Sequence, residues 1–187
     1  MKLILWRNVD NNRKEVKPLK KWVGIISFLF VIGLIMGCSK TESKTANATE
    51  KQQDVLSLLS NYKKEQYTIE DPKTAPTGEE ISKKVKEYLT EDALADLEAN
   101  RNFQLAPDLA KNTNHSIELT GVEVKQKKEN DDGTVIYTYT VYLKLTNVES
   151  SSSQEIEKKG EITVSNVDKL IITKDWQDKS TFEDHVF

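Results

Sequence analysis

The spacing of hydrophobic residues first predicts helices. Over residues 48–66 the apolar side chains fall at i, i+3, i+4 and i+7, which places them on one stripe of a helix. They are Val55, Leu58, Leu59 and Tyr62. A second helix is predicted to open at Thr77, because Thr77 and Glu80 have the spacing of a capping box. Thr90 is predicted to cap a third helix. That helix should end near Asn100, and Ala106-Pro107 then interrupts the helical pattern.

After Asn112 the spacing changes to every second residue, which predicts strands. The most regular strand carries Val135, Tyr137, Tyr139, Val141, Leu143 and Leu145 on one face. In the strand before it, the apolar positions change from odd to even numbers at Thr120-Gly121. A β-bulge with Gly121 at an unusual dihedral angle would explain this change of face. The turn between the two strands is predicted at residues 130–133.

Two further strands follow a run of serines. In the third strand Ile156, Ile162 and Val164 share one face, and Gly160 between them is predicted to bend it. In the fourth, Leu170, Ile172 and Trp176 are predicted to share one face, which turns Asp175 to solvent. The tail after Lys179 is expected to be partly ordered at best.

The order of these elements predicts an α+β fold. Three N-terminal helices would pack on one face of a curved, four-stranded antiparallel sheet, giving a cone-like domain over residues 52–178. The alternative is a cystatin-like fold, in which one helix crosses a four-stranded meander. That alternative would leave two of the predicted helices without a role.

Two short stretches resemble the nuclear transport factor 2-like superfamily. They are Tyr88-Leu89-Thr90-Glu91-Asp92-Ala93-Leu94, at a helix boundary, and Lys174-Asp175-Trp176, at the end of the last strand. The resemblance implies a cone whose pocket opens between the helices and the concave face of the sheet. Enzymes of this kind place an aspartate, or a histidine–aspartate pair, in that pocket. His115 and Asp175 are the candidates here, although an exposed position is the simpler interpretation of each.

The amino-terminal segment combines basic and apolar residues in a pattern different from that of the predicted domain. A basic cluster at residues 17–21 precedes 14 largely apolar residues, Val23 to Met36, and then Gly37 and Cys38. This arrangement resembles a bacterial lipoprotein export signal with its lipobox. It implies cleavage between Gly37 and Cys38 and lipidation of Cys38. The apolar run is short for a membrane span, which needs about 20 residues. The alternative is an uncleaved signal anchor.

These boundaries divide the chain into a signal peptide (1–37), a flexible tether (38–51), the folded domain (52–178) and the tail (179–187). The tether is predicted to be flexible because residues 39–51 contain no large apolar side chain. A diacylglyceryl group on Cys38 would hold the protein on the outer face of the cytoplasmic membrane, since two acyl chains suffice for stable anchoring.

Composition argues against several classes of function. Residues 38–187 hold 20 basic and 28 acidic residues, so nucleic-acid binding is not expected. Cys38 is the only cysteine, which leaves no disulfide. The two histidines, His115 and His185, are 70 residues apart without any metal-binding spacing, so neither a metal nor another cofactor is expected. No nucleophile motif or glycine-rich phosphate loop is present.

The leading hypothesis is therefore a non-enzymatic, membrane-tethered binding or assembly module. Its partner would be an envelope protein or a small apolar ligand, and a role in a secretion or conjugation apparatus is compatible. The candidate binding residues are the aromatic residues Tyr137, Tyr139, Tyr142 and Trp176. The alternation places Tyr137 and Tyr139 on one face and Tyr142 on the other, so at most one set can line a pocket. The alternative is an isomerase- or hydrolase-like enzyme that uses a buried carboxylate. A filled interior would favour the first hypothesis, and an open apolar cavity with a convergent acid or base would favour the second.

Overall fold

The computed structural model describes residues 42–182, and their side chains from Glu50 onward. The predicted signal peptide, its cleavage site at Gly37 and Cys38, and the end of the tail with His185 lie outside the described residues. Among the described residues, no helix combines the length and the apolar character needed to cross a membrane.

Helices come first along the chain and a sheet follows. The α-helices are α1 (Glu42–Tyr67), α2 (Gly78–Val85), α3 (Glu91–Ala99) and α4 (Leu105–Thr113), with short 3₁₀ helices at Pro72–Thr74 and Lys86–Tyr88. The strands are β1 (His115–Glu129), β2 (Val135–Asn147), β3 (Ser153–Ser165) and β4 (Ile171–Gln177). They form one antiparallel sheet in the order β1-β2-β3-β4. The predicted α+β class, with N-terminal helices packed on a four-stranded antiparallel sheet, is confirmed.

Local hydrogen bonds explain where α2 and α3 begin. The Glu80 amide donates to Thr77 Oγ1 at 3.2 Å, and the Thr77 amide donates to Glu80 Oε2 at 2.8 Å, so the predicted capping box is present. The Thr77 amide and the Thr77 hydroxyl both donate to the Glu80 carboxylate, which lowers the pKa of Glu80. At α3 the Ala93 amide donates to Thr90 Oγ1 at 3.3 Å, as expected for the predicted cap.

Two helix boundaries differ from the prediction. Helix α1 starts at Glu42, so most of the segment predicted as a flexible tether is helical; its residues 50–54 are exposed, and the buried face begins at Val55. Helix α4 was not predicted at all. It tolerates Pro107 because this residue lies in the first turn, where a backbone N–H has no helical partner. Asn114, with a φ of 57°, ends it in a left-handed conformation.

The core lies between the helices and one face of the sheet. On β2 the odd-numbered residues from Tyr137 to Leu145 are buried, as the alternation predicts. On β1 the pairing with β2 shifts between Leu119 and Gly121, which confirms the predicted bulge. Gly121 does not have the positive φ expected for it. A Cβ there would instead lie 3.3 Å from the Tyr142 ring, so close packing explains the glycine better.

A bulge in β4 overturns the predicted orientation of its residues. Val164 of β3 pairs with Ile172 and Thr163 pairs with Lys174, which leaves Thr173 as an extra residue. The side chains change faces at this point. Ile172 and Asp175 therefore both point into the protein, whereas Trp176 is 65 % exposed on the opposite face. The predictions that Trp176 shares a face with Ile172 and that Asp175 points to solvent are wrong.

Candidate functional site

The four aromatic candidates lie on two different faces of the sheet, as the alternation along β2 predicts for its three tyrosines. Tyr137 and Tyr139 are 4 % and 3 % exposed and face the interior. Tyr142 is half-buried on the outer face of the sheet, and Trp176 is largely exposed on that face. Trp176 is thus exposed on the outer face, while Tyr137 and Tyr139 belong to the interior.

Asp175 lies at the centre of a hydrogen-bond network in the interior. Its Oδ2 accepts bonds from Lys63 Nζ at 2.7 Å, from Tyr62 Oη at 2.7 Å and from Gln177 Nε2 at 2.6 Å. Its Oδ1 accepts a bond from Tyr139 Oη at 2.8 Å. The side chains of Lys63 and Asp175 have no exposed surface. Four donors therefore surround one fully buried carboxylate.

Helix α1 supplies the other half of this network. Gln66 Oε1 accepts from Lys63 Nζ at 3.0 Å, and Gln177 Oε1 accepts from Gln66 Nε2 at 3.1 Å and from Tyr67 Oη at 2.6 Å. We call the whole set the Asp175 cluster; its members are Tyr62, Lys63, Gln66, Tyr67, Tyr139, Asp175 and Gln177. The cluster joins α1 to β2 and β4 through hydrogen bonds inside the core.

Burial keeps the tyrosines of the cluster protonated. It raises the pKa of Tyr62, Tyr67 and Tyr139 well above the usual value, and the charge of Asp175 adds to this effect. The phenols therefore remain hydrogen-bond donors. Burial lowers the pKa of Lys63, while Asp175 opposes the change. Lys63 Nζ also lies 4.4 Å from the Tyr62 ring centroid and 4.8 Å from that of Tyr139, where cation–π attraction stabilises the ammonium.

This arrangement is unsuited to catalysis by Asp175. A general base must reach the proton that it removes, directly or through one water. Asp175 is closed off from solvent and its oxygens already accept four bonds. His115, the other catalytic candidate, starts β1 and places Nδ1 2.6 Å from the Thr113 carbonyl oxygen. Because β1 and β4 are the two edges of the sheet, no histidine–aspartate pair forms between these residues.

Gly160 has a role that sequence reasoning did not identify. The β2–β3 pairing is continuous past Gly160, so the predicted bend does not appear as a register shift. A Cβ at Gly160 would lie 2.3 Å from Tyr139 Oη and 2.6 Å from the Trp176 carbonyl oxygen. The phenol of Tyr139 thus passes directly over Gly160 to reach Asp175. The glycine provides the space that this hydrogen bond requires.

A second buried lysine lies near the cluster. Lys158 on β3 has no exposed surface, donates a hydrogen bond to the Asp178 carbonyl oxygen, and places Nζ 4.7 Å from the Phe182 ring centroid. Burial, together with the charge of Lys63, lowers its pKa to about 8. Phe182 in turn packs edge-on against Tyr67, at 5.7 Å between ring centroids. Lys158 therefore helps to hold the segment that follows β4 against the core.

Several concave regions are open at the surface of the described residues, and two of them lie beside the candidate residues. A groove of about 570 Å³ runs between α3 and β4; Ala93 and Leu97 line it from the helix and Trp176 from the strand. A cavity of about 370 Å³ lies between α1 and the sheet near the β1–β2 turn; Val55, Val135 and Tyr137 form part of its lining, and Lys51, Asp54 and Glu129 also border it. Among residues 42–182, no group of three or more histidines, cysteines or carboxylates is placed to hold a metal ion.

Comparison with known proteins yields structural similarities only. No protein-family model and no curated protein matches this chain. An IcmL-like type IV secretion system protein from Legionella pneumophila matches with a TM-score of 0.50 and 12 % identity, over 68 % of this chain and 91 % of that one.

Two further solved structures show weaker similarity. A periplasmic fragment of TraM has a TM-score of 0.44 and 16 % identity, over 67 % of this chain and 96 % of the fragment. TraH from the Gram-positive conjugative plasmid pIP501 has a TM-score of 0.44 and 18 % identity, over 68 % of this chain and 93 % of TraH. The chain thus shares its fold with the IcmL-like secretion system protein.

Proposed function

We propose that this chain is a lipid-anchored, extracytoplasmic assembly module without enzymatic activity, which binds a protein component of a secretion or conjugation apparatus. The lipobox-like sequence ending at Cys38 supports the membrane anchor. The shared fold with an IcmL-like type IV secretion system protein supports the kind of apparatus. Fold alone does not determine function, so the argument depends on the chemistry of this chain.

The observation that carries the proposal is the closed state of the interior. The pocket implied by the resemblance to the nuclear transport factor 2-like superfamily would need an accessible acid or base. Here the carboxylate in that region is saturated with donors and fully buried. A buried, fully bonded network stabilises and orders a core but offers nothing to a substrate. The region around Asp175 therefore has no accessible binding site, and we place binding on the outside of the domain.

Trp176 is the best anchor for such binding. It is one of three large hydrophobic side chains found exposed among the described residues, together with Val148 and Val167, and it borders the groove between α3 and β4. Tryptophan is enriched among the residues that contribute most to binding energy at protein interfaces. The partner surface is therefore proposed to be centred on Trp176.

The anchor and the partner are tested separately. Cells expressing the protein would be labelled with radioactive palmitate, comparing Cys38→Ser with the control Ser39→Ala. Label on the wild type and the control, and none on Cys38→Ser, is the expected result. Label on Cys38→Ser would contradict lipidation at Cys38.

The partner is tested by crosslinking intact membranes and purifying the protein under denaturing conditions. One stoichiometric envelope protein should co-purify with the wild type and with Val167→Ala, and should be depleted at least tenfold with Trp176→Ala. Val167 is a suitable control because it is 76 % exposed but lies in the β3–β4 turn. Equal recovery with Trp176→Ala would show that the partner binds elsewhere. Failure to recover any partner would contradict the assembly role.

A further inference from the structure

The carboxyl-terminal half of β4 is a sheet edge with outward-pointing backbone groups. The Asp178 amide donates to the Lys159 carbonyl of β3 at 3.0 Å, and Trp176 pairs with Glu161. Hydrogen-bonding direction alternates along an antiparallel strand. Asp175 and Gln177 therefore direct their amides and carbonyls away from β3. Among residues 42–182, none makes a backbone hydrogen bond to these two residues from that side.

These outward groups face the groove between α3 and β4. The helix contributes Ala93 and Leu97 as an apolar wall, with Asp96 and Asn100 at the rim. Asn102, which is 5 % exposed, also lines the groove, and its Oδ1 has no hydrogen-bond partner among the described residues. Buried polar atoms nearly always have a hydrogen-bond partner. Asn102 Oδ1 could therefore accept a hydrogen bond from a ligand in the groove.

Each of the two edge strands is covered at one position by backbone from outside the sheet. At the amino end of β4 the Thr90 amide donates to the Ile172 carbonyl at 3.0 Å, in a parallel bridge between Leu89 and Ile172. On β1, Ile69 and Ile117 exchange two backbone bonds of 2.8 Å each. Proteins usually protect exposed edges in this way, because an open edge is a template for pairing with another chain.

The open part of the edge is also held rigidly. The side chains of Asp175 and Gln177 are fixed inside by the Asp175 cluster, so the backbone groups on the other side of the strand have little freedom. A binding surface that is already ordered loses less conformational entropy when it binds. The buried cluster thus prepares this edge for a partner.

We propose that residues 174–178 of β4 bind an extended segment of a partner protein as an added strand. This inference rests on the proposed assembly function and specifies how the partner docks. Five residues of β4 span about 17 Å, which sets the length of the segment. Its backbone would pair with Asp175 and Gln177, while alternate side chains would face Trp176 on one side and the wall of Ala93 and Leu97 on the other.

The chemistry of the groove favours a peptide segment over a second copy of this domain. Helix α3 lines the groove along the open edge. In a symmetric pairing of β4 with β4, a second domain would bring its own α3 to the same face of the joined sheet, where two helices compete for one groove. An isolated extended segment brings backbone donors and acceptors without a helix. Its side chains toward Ala93 and Leu97 should be small or aliphatic, and a side chain opposite Trp176 should be aromatic or β-branched.

The first step of the test identifies the segment. A benzophenone amino acid is placed in the full-length protein at Asn100, on the rim of the groove, or at Ala95, an exposed position of α3 outside the groove. After irradiation of intact membranes, mass spectrometry should find one partner segment attached at position 100 and none at position 95. Adducts of position 100 with this chain alone would overturn the proposal in favour of self-association.

The second step tests the added strand. The crosslinked segment is synthesised as a peptide and added to the purified protein at saturation while amide hydrogen exchange is measured. Exchange at Asp175 and Gln177 should slow at least tenfold, whereas the Trp176 amide, already paired with β3, should change little. Asp96→Trp, which fills the groove from an exposed position, should weaken peptide binding at least tenfold, and Ala95→Trp should not.

The two proposals fail in different ways. If the peptide binds but exchange at Asp175 and Gln177 is unchanged, strand addition is wrong and the assembly role stands. The same conclusion follows if Asp96→Trp binds the peptide as well as the wild type does. If neither the crosslinked membranes nor the photo-crosslinker yields any partner, both proposals are overturned.

Discussion

Removing one member of the Lys63–Asp175 pair should destabilise the fold strongly. Lys63→Met keeps the length of the side chain but leaves a carboxylate with no exposed surface and without its ion-pair partner. Breaking a buried ion pair in this way costs about 3–5 kcal/mol. Asp175→Asn should cost a similar amount, because it leaves the Lys63 ammonium with Gln66 Oε1 and the aromatic faces as its remaining neighbours. Either loss is a large fraction of a typical stability of about 5–15 kcal/mol.

The double variant isolates the energy of interaction between Lys63 and Asp175. In Lys63→Met/Asp175→Asn neither charge is left alone, so the loss should be smaller than the sum of the two single losses by about 2 kcal/mol or more. The protein contains a matched control: Lys83 and Glu79 also approach to 2.7 Å, but their side chains are 68 % and 78 % exposed. The equivalent cycle with Lys83→Met and Glu79→Gln should give a coupling too small to resolve.

The assay is equilibrium unfolding of the purified variants in urea at pH 7, followed by circular dichroism and by tryptophan fluorescence. The slope of the unfolding free energy against urea should be unchanged, so that midpoint shifts report stability. If the buried cycle gave a coupling no larger than that of the exposed pair, the pair would not organise the interior. Burial of Asp175 would then not depend on its pairing with Lys63.

Three further changes test the surroundings of the cluster. Between pH 7.5 and 9.5 the free energy of unfolding of the wild type should rise by about 2 kcal/mol more than that of Lys158→Met. The reason is that Lys158, with a folded-state pKa of about 8, binds fewer protons in the folded protein than in the unfolded chain over this range. Equal gains in both proteins, measured by urea titration, would contradict this. Gly160→Ala should cost about 2 kcal/mol or more by thermal unfolding, since its Cβ would lie 2.3 Å from Tyr139 Oη, and an unchanged midpoint would refute the close approach. Trp176→Ala should alter stability by less than about 0.5 kcal/mol, because the side chain is 65 % exposed; a larger loss would assign Trp176 to the core.

Most of the fold followed from periodicity. The capping box at Thr77, the face change at Gly121 and the buried side of β2 are local patterns, and each was confirmed. Helix α4 was missed because Pro107 was treated as a helix breaker, although proline is acceptable in a first turn. The early start of α1 was missed because the residues before Val55 are exposed and carry no apolar pattern.

The site was harder to predict because it depends on one inserted residue. Thr173 adds a residue to β4 without leaving a mark in the hydrophobic pattern, yet it turns Asp175 inward and Trp176 outward. Lys158 did leave a signal: it has the same parity on β3 as Ile156 and Ile162. A charged residue on an apolar face is usually assigned to solvent, because burying a lone charge is costly. Only the tertiary structure shows the partners that offset this cost.

The bulge at Thr173 also links the closed interior to the proposed docking edge. Without it, Asp175 would lie on the outer face and its hydrogen bonds to α1 and β2 could not form. With it, the same residue fixes its side chain in the core and directs its backbone toward the groove. A loss of core stability should therefore also lower the affinity of the β4 edge for its partner segment. Lys63→Met should speed amide exchange at Trp176, where β4 pairs with β3, and it should weaken binding of the segment. If the variant lost stability but kept full peptide affinity, the cluster would support the core alone and not the edge.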